Sequence, residues 1–342
     1  MRFEYFMYKH YPFPFALVLA ICFVASIVFT AEQANAQNSD REVFRFLDLP
    51  TSARLSSLGG NHAALFGGDV SEFQVNPAYL STSSNNDLSL SYINFLTDVN
   101  FAFANWSHQL NDIGMLGVAV RYLSLGDFQR TNELGDILGD FNANELALTV
   151  GLGRSLGERI HYGANIDFIY SSLDTFNSTA LAFTAGGIFI TEGGNTSFGL
   201  TFKNAGFQIS EFNSKNEDLP FDILLGVSHD LQHTPLRFSF TLQKLDEWDL
   251  EVPDDDGNDP DFLKNAVRHA IIGAELLLSE NIHLRIGYNQ FMHDNLSTSD
   301  RLDTAGMNFG LGINIKEFTF DIGRSSFSEI GGSTQISLKT TF

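Results

Sequence analysis

From Leu88 onward the chain is built of segments in which every second residue is apolar, and this period of two leaves few architectures open. In Ile160–Ser171, Ile160, Tyr162, Ala164, Ile166, Phe168 and Tyr170 fall on one face, while His161, Gly163, Asn165, Asp167 and Ser171 fall on the other. Met307–Ile315 repeats the pattern, setting Met307, Phe309, Leu311, Ile313 and Ile315 against Asn308, Gly310, Gly312 and Asn314. About fourteen such segments can be counted, each near the roughly 9–11 residues that a tilted membrane strand needs. Apolar on one face and polar on the other is the dyad of a barrel with lipid outside and water or a plug inside. A soluble sandwich would turn its apolar faces inward between two sheets and would rarely end on an outward aromatic. Here Thr334, Ile336, Leu338, Thr340 and the terminal Phe342 share one face. The sequence therefore predicts an all-β fold: a closed antiparallel transmembrane β-barrel of about fourteen strands, with no unpaired edge in lipid.

The other twelve strands are expected at 87–95, 99–108, 114–125, 142–154, 178–190, 197–207, 220–229, 236–246, 266–278, 282–291, 316–324 and 332–342. Their connections alternate short and long. The long ones, Asp127–Phe141, Gln208–Leu219, Glu247–Asn265, Met292–Asp303 and Ser325–Gly331, are expected as external loops, with short turns on the periplasmic side.

The head of the chain is different. Residues 1–36 carry Arg2 and Lys9, the apolar run Phe15–Phe29 and then Ala34-Asn35-Ala36, the order of a secretory signal peptide with cleavage expected after Ala36. The run is short for a spanning helix, which needs about twenty residues. Cys22 is the sole cysteine, so the mature chain would have no thiol or disulfide. Removing residues 1–36 takes away two cations and two anions and leaves the net charge at −21, which argues against nucleic acid as a partner. Thirty-three Phe and 29 Gly are unusual for a soluble enzyme and suit aromatic girdles and close approach to a barrel wall.

Residues 37–85 precede the strands (86–342) and lack a strand period. Between Phe44 and Leu80 the helical spacing of Ala53, Leu55 and Leu58, the paired glycines Gly59-Gly60 and Gly67-Gly68, and Asn76-Pro77 read as turns and short helices, expected to form a plug within the barrel.

Chemistry is hard to find. Gly153-Arg154-Ser155-Leu156-Gly157 matches a nucleophile elbow, but strand alternation on both sides makes Gly157 a hairpin residue. Asp254–Asp259 offers carboxylates without the spacing of a calcium loop, and the nine histidines form no metal-binding pair. His161, Asp167 and Arg285 are expected to face the lumen. No enzyme, cofactor or metal is expected.

The run Phe46-Leu47-Asp48-Leu49-Pro50, Ser52-Ala53-Arg54, Leu58-Gly59-Gly60-Asn61, Asn76-Pro77-Ala78 and Tyr92-Ile93-Asn94, continuing through Leu219-Pro220-Phe221-Asp222 to Phe342, resembles PorV and PorQ, outer-membrane barrels of the Bacteroidetes type IX secretion system, the PorQ branch most. These are themselves similar to the FadL hydrophobic transporters. The resemblance implies a fourteen-stranded barrel with an N-terminal hatch, whose motif falls here on Pro50, Ala53, Arg54, Gly59, Gly60, Asn61, Asn76, Pro77 and Ala78. It further implies outer-membrane lipid, the translocon, the surface attachment complex and secreted cargo as partners. Phe128, Phe141, Phe207, Phe212 and Trp248 are then candidate anchors on the loops, and Phe342 the insertion signal. The alternative it carries is a FadL-like transporter of hydrophobic small molecules.

Overall fold

The computed structural model describes residues 42–342 apart from 66, 68, 84, 96–98, 133, 213–215, 251–261, 298–302 and 328–330; the signal peptide and the acidic run Asp254–Asp259 lie outside the described residues. Fourteen strands follow one another: β1 (Asp87–Asn94), β2 (Asn100–Leu110), β3 (Gly114–Thr131), β4 (Ile137–Leu156), β5 (Ile160–Leu173), β6 (Phe176–Ile190), β7 (Thr196–Ser210), β8 (Asp222–Asp230), β9 (Leu236–Leu242), β10 (Ala270–Leu277), β11 (Ile282–Asn289), β12 (Met307–Ile315), β13 (Phe318–Ser326) and β14 (Gly332–Thr341). Each pairs antiparallel with its neighbour in sequence, and β14 returns to pair with β1, so the ring is closed. The expected strand number and order are those observed.

The two ends of the barrel differ. Six connections of two to five residues, the start of β1 and the end of β14 lie at one end, here the short-turn end; the opposite, loop end carries the remaining connections. The lipid boundary at the loop end is written in side chains. Tyr92, Ala102, Tyr122, Leu146, Tyr170 and Thr179 lie opposite one another across β1 to β6. The next outward row toward the loop end is Asn94, Asn100, Ser124, Asn144, Ser172 and Asn177. Each tyrosine hydroxyl donates across this step: Tyr92 to Asn100, Tyr122 to Asn144 at 2.8 Å, and Tyr170 to Asn177 at 2.9 Å. An amphipathic ring with its hydroxyl aimed at an amide is the side chain for a lipid–water interface. At the other boundary Arg159 lies 5.2 Å over the Phe189 ring, beside Ile160 at the start of β5. From Ile160 to Tyr170 is about 33 Å along a strand rising ~3.3 Å per residue, or about 25 Å across the membrane at a tilt of ~40°. That matches the apolar band of an outer-membrane barrel.

Three expectations are corrected. Asp127–Phe141 is not a loop: β3 runs to Thr131 and β4 starts at Ile137, so Phe128 and Phe141 are cross-strand partners. Gly126, with φ of 87°, absorbs a register shift between Ser124 and Asp127, after which pairing resumes. Phe207 likewise lies on β7, opposite Leu181, and faces outward with 56% of its surface exposed. The expected strands 236–246 and 266–278 are shorter, because the chain leaves β9 after Leu242 and a helix, Phe262–Arg268, precedes β10. A further helix, Gln290–Leu296, caps the connection after β11.

Placement of the boundary has a measurable consequence. Ile166→Arg, in the middle of the lipid-facing band, should cost about 2–4 kcal/mol of folding free energy in phospholipid vesicles, whereas Ser172→Arg, beyond the tyrosine row, should cost at most about 1 kcal/mol. Equilibrium urea unfolding of the two variants distinguishes these, and equal costs would displace the boundary.

Candidate functional site

Residues 44–83 are folded as four short pieces: a 3-10 turn at Arg45–Asp48, a helical turn at Ala53–Ser57, and 3-10 turns at Val70–Gln74 and Pro77–Thr82. Local capping explains them. The Ser52 hydroxyl accepts from Leu55 N, the Asp69 carboxylate from Ser71 N, and the Asn76 side chain from Ala78 N with Pro77 at the first helical position. Ala53, Leu55, Leu58, Ala63, Leu65, Val70, Phe73, Ala78 and Leu80 are buried, and what buries them is the inner face of the strand ring.

Glycine makes that contact possible. Inward-facing glycines recur at the level of this segment, among them Gly163 on β5, Gly186 on β6, Gly199 on β7, Gly287 on β11 and Gly323 on β13. A Cβ on Gly163 would lie 2.6 Å from the Pro77 carbonyl oxygen, and one on Gly323 would lie 2.6 Å from that of Ala53, so main chain touches main chain at both. Polar wall residues then take up the segment's free backbone groups: Asn165 donates to Phe73 O at 2.8 Å, Asn289 to Gly59 O at 3.0 Å and Gln335 to Pro50 O at 3.2 Å, and Ser337 Oγ accepts from Ala53 N at 2.8 Å.

Charges complete the fastening. Arg54 donates from Nε and Nη2 to the two oxygens of Glu275 on β10 at 3.0 and 2.7 Å, and from Nη1 to Glu72 at 3.0 Å. Arg285 on β11 donates to the same Glu275 at 2.8 Å and also to Asp321 on β13. Arg237 on β9 approaches Glu275 at 3.4 Å. Nearer the loop end, Arg121 on β3 bonds Leu47 O at 3.0 Å and Asp167 at 3.2 Å, and Lys203 on β7 bonds Asp48 at 2.7 Å. Glu275 and Arg54 are both buried, so each charge is held only by its partners.

The motif residues expected on the plug are all engaged here. Arg54 carries the ion pairs, Gly59 and Gly60 adopt φ of 101° and 139°, Asn61 donates to Asp48 O at 2.8 Å, and Asn76 donates to Ala63 O at 2.7 Å. Asp167, His161 and Arg285 face the lumen; His161 bonds Ser81 at 2.8 Å. Glu72, Glu275, Asp321 and Arg237 were not picked out from sequence. The signal was available for the three on strands: each is a charge at the inward position of an alternating strand.

Above this ionic layer the lumen turns apolar. Phe44, Phe46 and Leu47 pack on Ile93, Phe101, Phe103, Leu123, Ala180 and Leu219. Over them opens a cleft of about 420 Å³ lined by Val43, Phe44, Phe46, Leu49, Phe101, Leu123, Leu125 and Phe212 and by the charged Glu42, Arg45 and Glu145. Glu42 bridges to Asp218 in the β7–β8 connection, where Val43 N donates to Asp218 O at 3.0 Å, so the segment begins at the loop end and finishes, at Pro77–Thr82, beside Met115 and Gly153 near the short-turn end. Phe212 thus lines the cleft, and Phe128 stacks on Phe141 at 5.3 Å on the strands above it. Trp248 stacks on His269 at 5.2 Å and packs against Phe262 at 5.3 Å, so its face is taken up within its own loop. In that loop Lys244 sits 5.5 Å over Phe291; burial lowers its pKa, but the carboxylates of Asp48, Glu42, Asp222 and Asp246 outweigh this and hold it above the usual lysine value. Phe342 is 76% exposed at the short-turn end.

No protein-family model and no curated protein matches the chain. Solved structures do. The toluene transporter TbuX of Ralstonia pickettii superposes with a TM-score of 0.55 at 13% identity, covering 87% of this chain and 100% of that one. The fold is FadL-like. The Pseudomonas putida toluene transporter TodX (TM-score 0.53, 13% identity, 85% of this chain and 96% of that one) and the monoaromatic hydrocarbon channel CymD (0.54, 14%, 86% and 98%) share the FadL-like barrel. In outer-membrane barrels of this kind the short turns face the periplasm and the loop end faces outside. None of these structures bears on type IX secretion.

The ionic layer should be costly to break. Glu275→Ala leaves Arg54 and Arg285 buried with their shared partner gone, and we expect a loss of about 3–5 kcal/mol in urea unfolding, whereas Arg54→Met should cost a similar amount because it takes the arginine from the buried Glu72. A loss below about 1 kcal/mol would show that the segment is not held by this carboxylate.

Proposed function

We propose that this chain is a non-enzymatic outer-membrane barrel that takes up hydrophobic small molecules from outside, captures them in the apolar cleft at the loop end and uses the segment Phe44–Ser83 as the hatch beneath. The observation that carries the reading is the cleft itself. It is open, of the size of a small-ligand pocket, lined mostly by apolar side chains with Glu42, Arg45 and Glu145 among them, and sits directly on a lumen filled by protein. Similar structures being toluene transporters and a monoaromatic hydrocarbon channel supports the class of solute.

Apolar lining gives affinity without strong selectivity among apolar solutes, because one methylene more or less is worth only about 1–3 kcal/mol in such a pocket. The secretion-system role implied by the PorV and PorQ resemblance would instead place function in protein partners at the loops, and of its candidate anchors Phe212 lines the cleft and Trp248 is stacked internally.

Toluene and octanoate, tested separately by calorimetry on detergent-solubilised protein and by uptake into cells, examine the proposal. Leu123→Asp and Phe212→Asp should each weaken binding of the active solute at least tenfold, while Asp230→Asn at the short-turn end should not. Absence of binding and uptake for both solutes, combined with loss of surface display of secreted proteins on deletion of residues 247–262, would return the secretion reading.

A further inference from the structure

β3 and β4 continue about 23 Å past the asparagine and serine row, at ~3.3 Å per residue, and there the sheet is only two strands wide. β2 accompanies β3 no further than the Asn100–Ser124 pair, and β5 accompanies β4 no further than Leu173–Ala143. Asp127–Thr131 therefore pairs with Ile137–Asn142 on one side and, among the described residues, has no strand on the other. The β4 edge is partly closed: Asp174 N donates to Asn142 O at 3.3 Å, and Arg130 reaches over to the Asp174 carboxylate. Among the described residues the β3 edge has no such cover. Two-stranded ribbons are marginal in water, and an open edge is a template for another strand.

We propose that the β3 edge Asp127–Thr131 is a docking strand for an extended, positively charged peptide that carries an apolar residue at alternate positions. Its backbone would extend the sheet, as in other cases of strand addition. Charge selects the occupant. Asp127, Asp136 and Asp140 are exposed on the ribbon, Arg130 is already paired, and the chain carries −21 overall. A second copy of the ribbon would bring like charges together across the new pair, and the chain's own residues 251–261 are acidic as well.

Position selects the pattern. A strand added here lies beyond Val99, whose carbonyl accepts from Phe95 N at 3.2 Å, and so on the side of Phe95, which packs against Phe101 at 6.2 Å and Phe327 at 5.3 Å. Inward side chains of the added strand meet Phe95, Phe327 and Phe128, and outward ones meet the carboxylates. The inference is independent of the transport reading, since the docking edge lies outside the cleft lining.

The test uses the purified full chain in detergent at low salt and three fluorescein-labelled peptides read by anisotropy: Lys-Val-Lys-Phe-Lys-Val-Lys, the same peptide N-methylated along its backbone, and its counterpart with every Lys replaced by Glu. The basic peptide should bind, with the N-methylated and acidic forms at least tenfold weaker. The variant Asp127→Lys/Asp140→Lys should also lose at least tenfold while keeping the heat-modifiable gel mobility of an intact barrel, because both carboxylates are exposed. Equal binding of the parent and N-methylated peptides means attraction by charge alone and overturns strand addition. Undiminished binding to the double variant, or no binding of the basic peptide, overturns the site.

Discussion

A β-strand surrounded by hydrocarbon has nowhere to place an unpaired backbone N–H or C=O except on another strand, and the whole architecture answers to that constraint. β14 pairs with β1 along eight residues, from Asp87–Thr341 to Asn94–Thr334, so no edge remains within the lipid band. Closure fixes which side chains point in. Once Ile166 and Phe168 face lipid, Asn165 and Asp167 must face the lumen, and the strands' polar contacts to the inner segment are then drawn from the inward set.

The inner surface combines two devices that solve different problems. Glycines let the segment's main chain lie against the wall, but each forfeits a side chain that could fill space or carry specificity. Ion pairs supply direction: Arg54 with Glu275, and Asp48 with Lys203, hold the segment at two heights. Buried ion pairs add little net stability when complete and are costly when one member is removed, so they select one arrangement over others.

Much of this was legible in the sequence. Period-two alternation located fourteen strands, most of them within a few residues, because a lipid-facing side chain has no polar substitute and the pattern survives in every strand. It failed where lipid stops enforcing it. Past Gly126 on β3 and before Phe141 on β4 both faces meet water, Asp127, Gln129 and Asp140 read as loop, and only the continued pairing reveals strand. The helix Phe262–Arg268 was hidden as well: residues 262–265 read as the end of a loop and 266–268 as the start of a strand, because seven residues are too few to show a helical period. Glu275 and Asp321 were present as inward charges, but which cations meet there depends on the ring's circumference, and local sequence does not encode that distance.

One feature of the inner segment bears on the order of assembly. Its first residues are tied to the β7–β8 connection at one end of the ring through Asp218, its last residues lie against Gly153 and Gly163 near the other end, and in between Ala53 is bonded to Ser337 on the final strand. Drawing Glu42 and everything before it through a finished ring would mean dragging the chain past the glycine level, where backbone already touches backbone. Closing an open sheet around the segment requires only that the β1–β14 seam form last, and Ser337 then joins that seam to the contents it encloses.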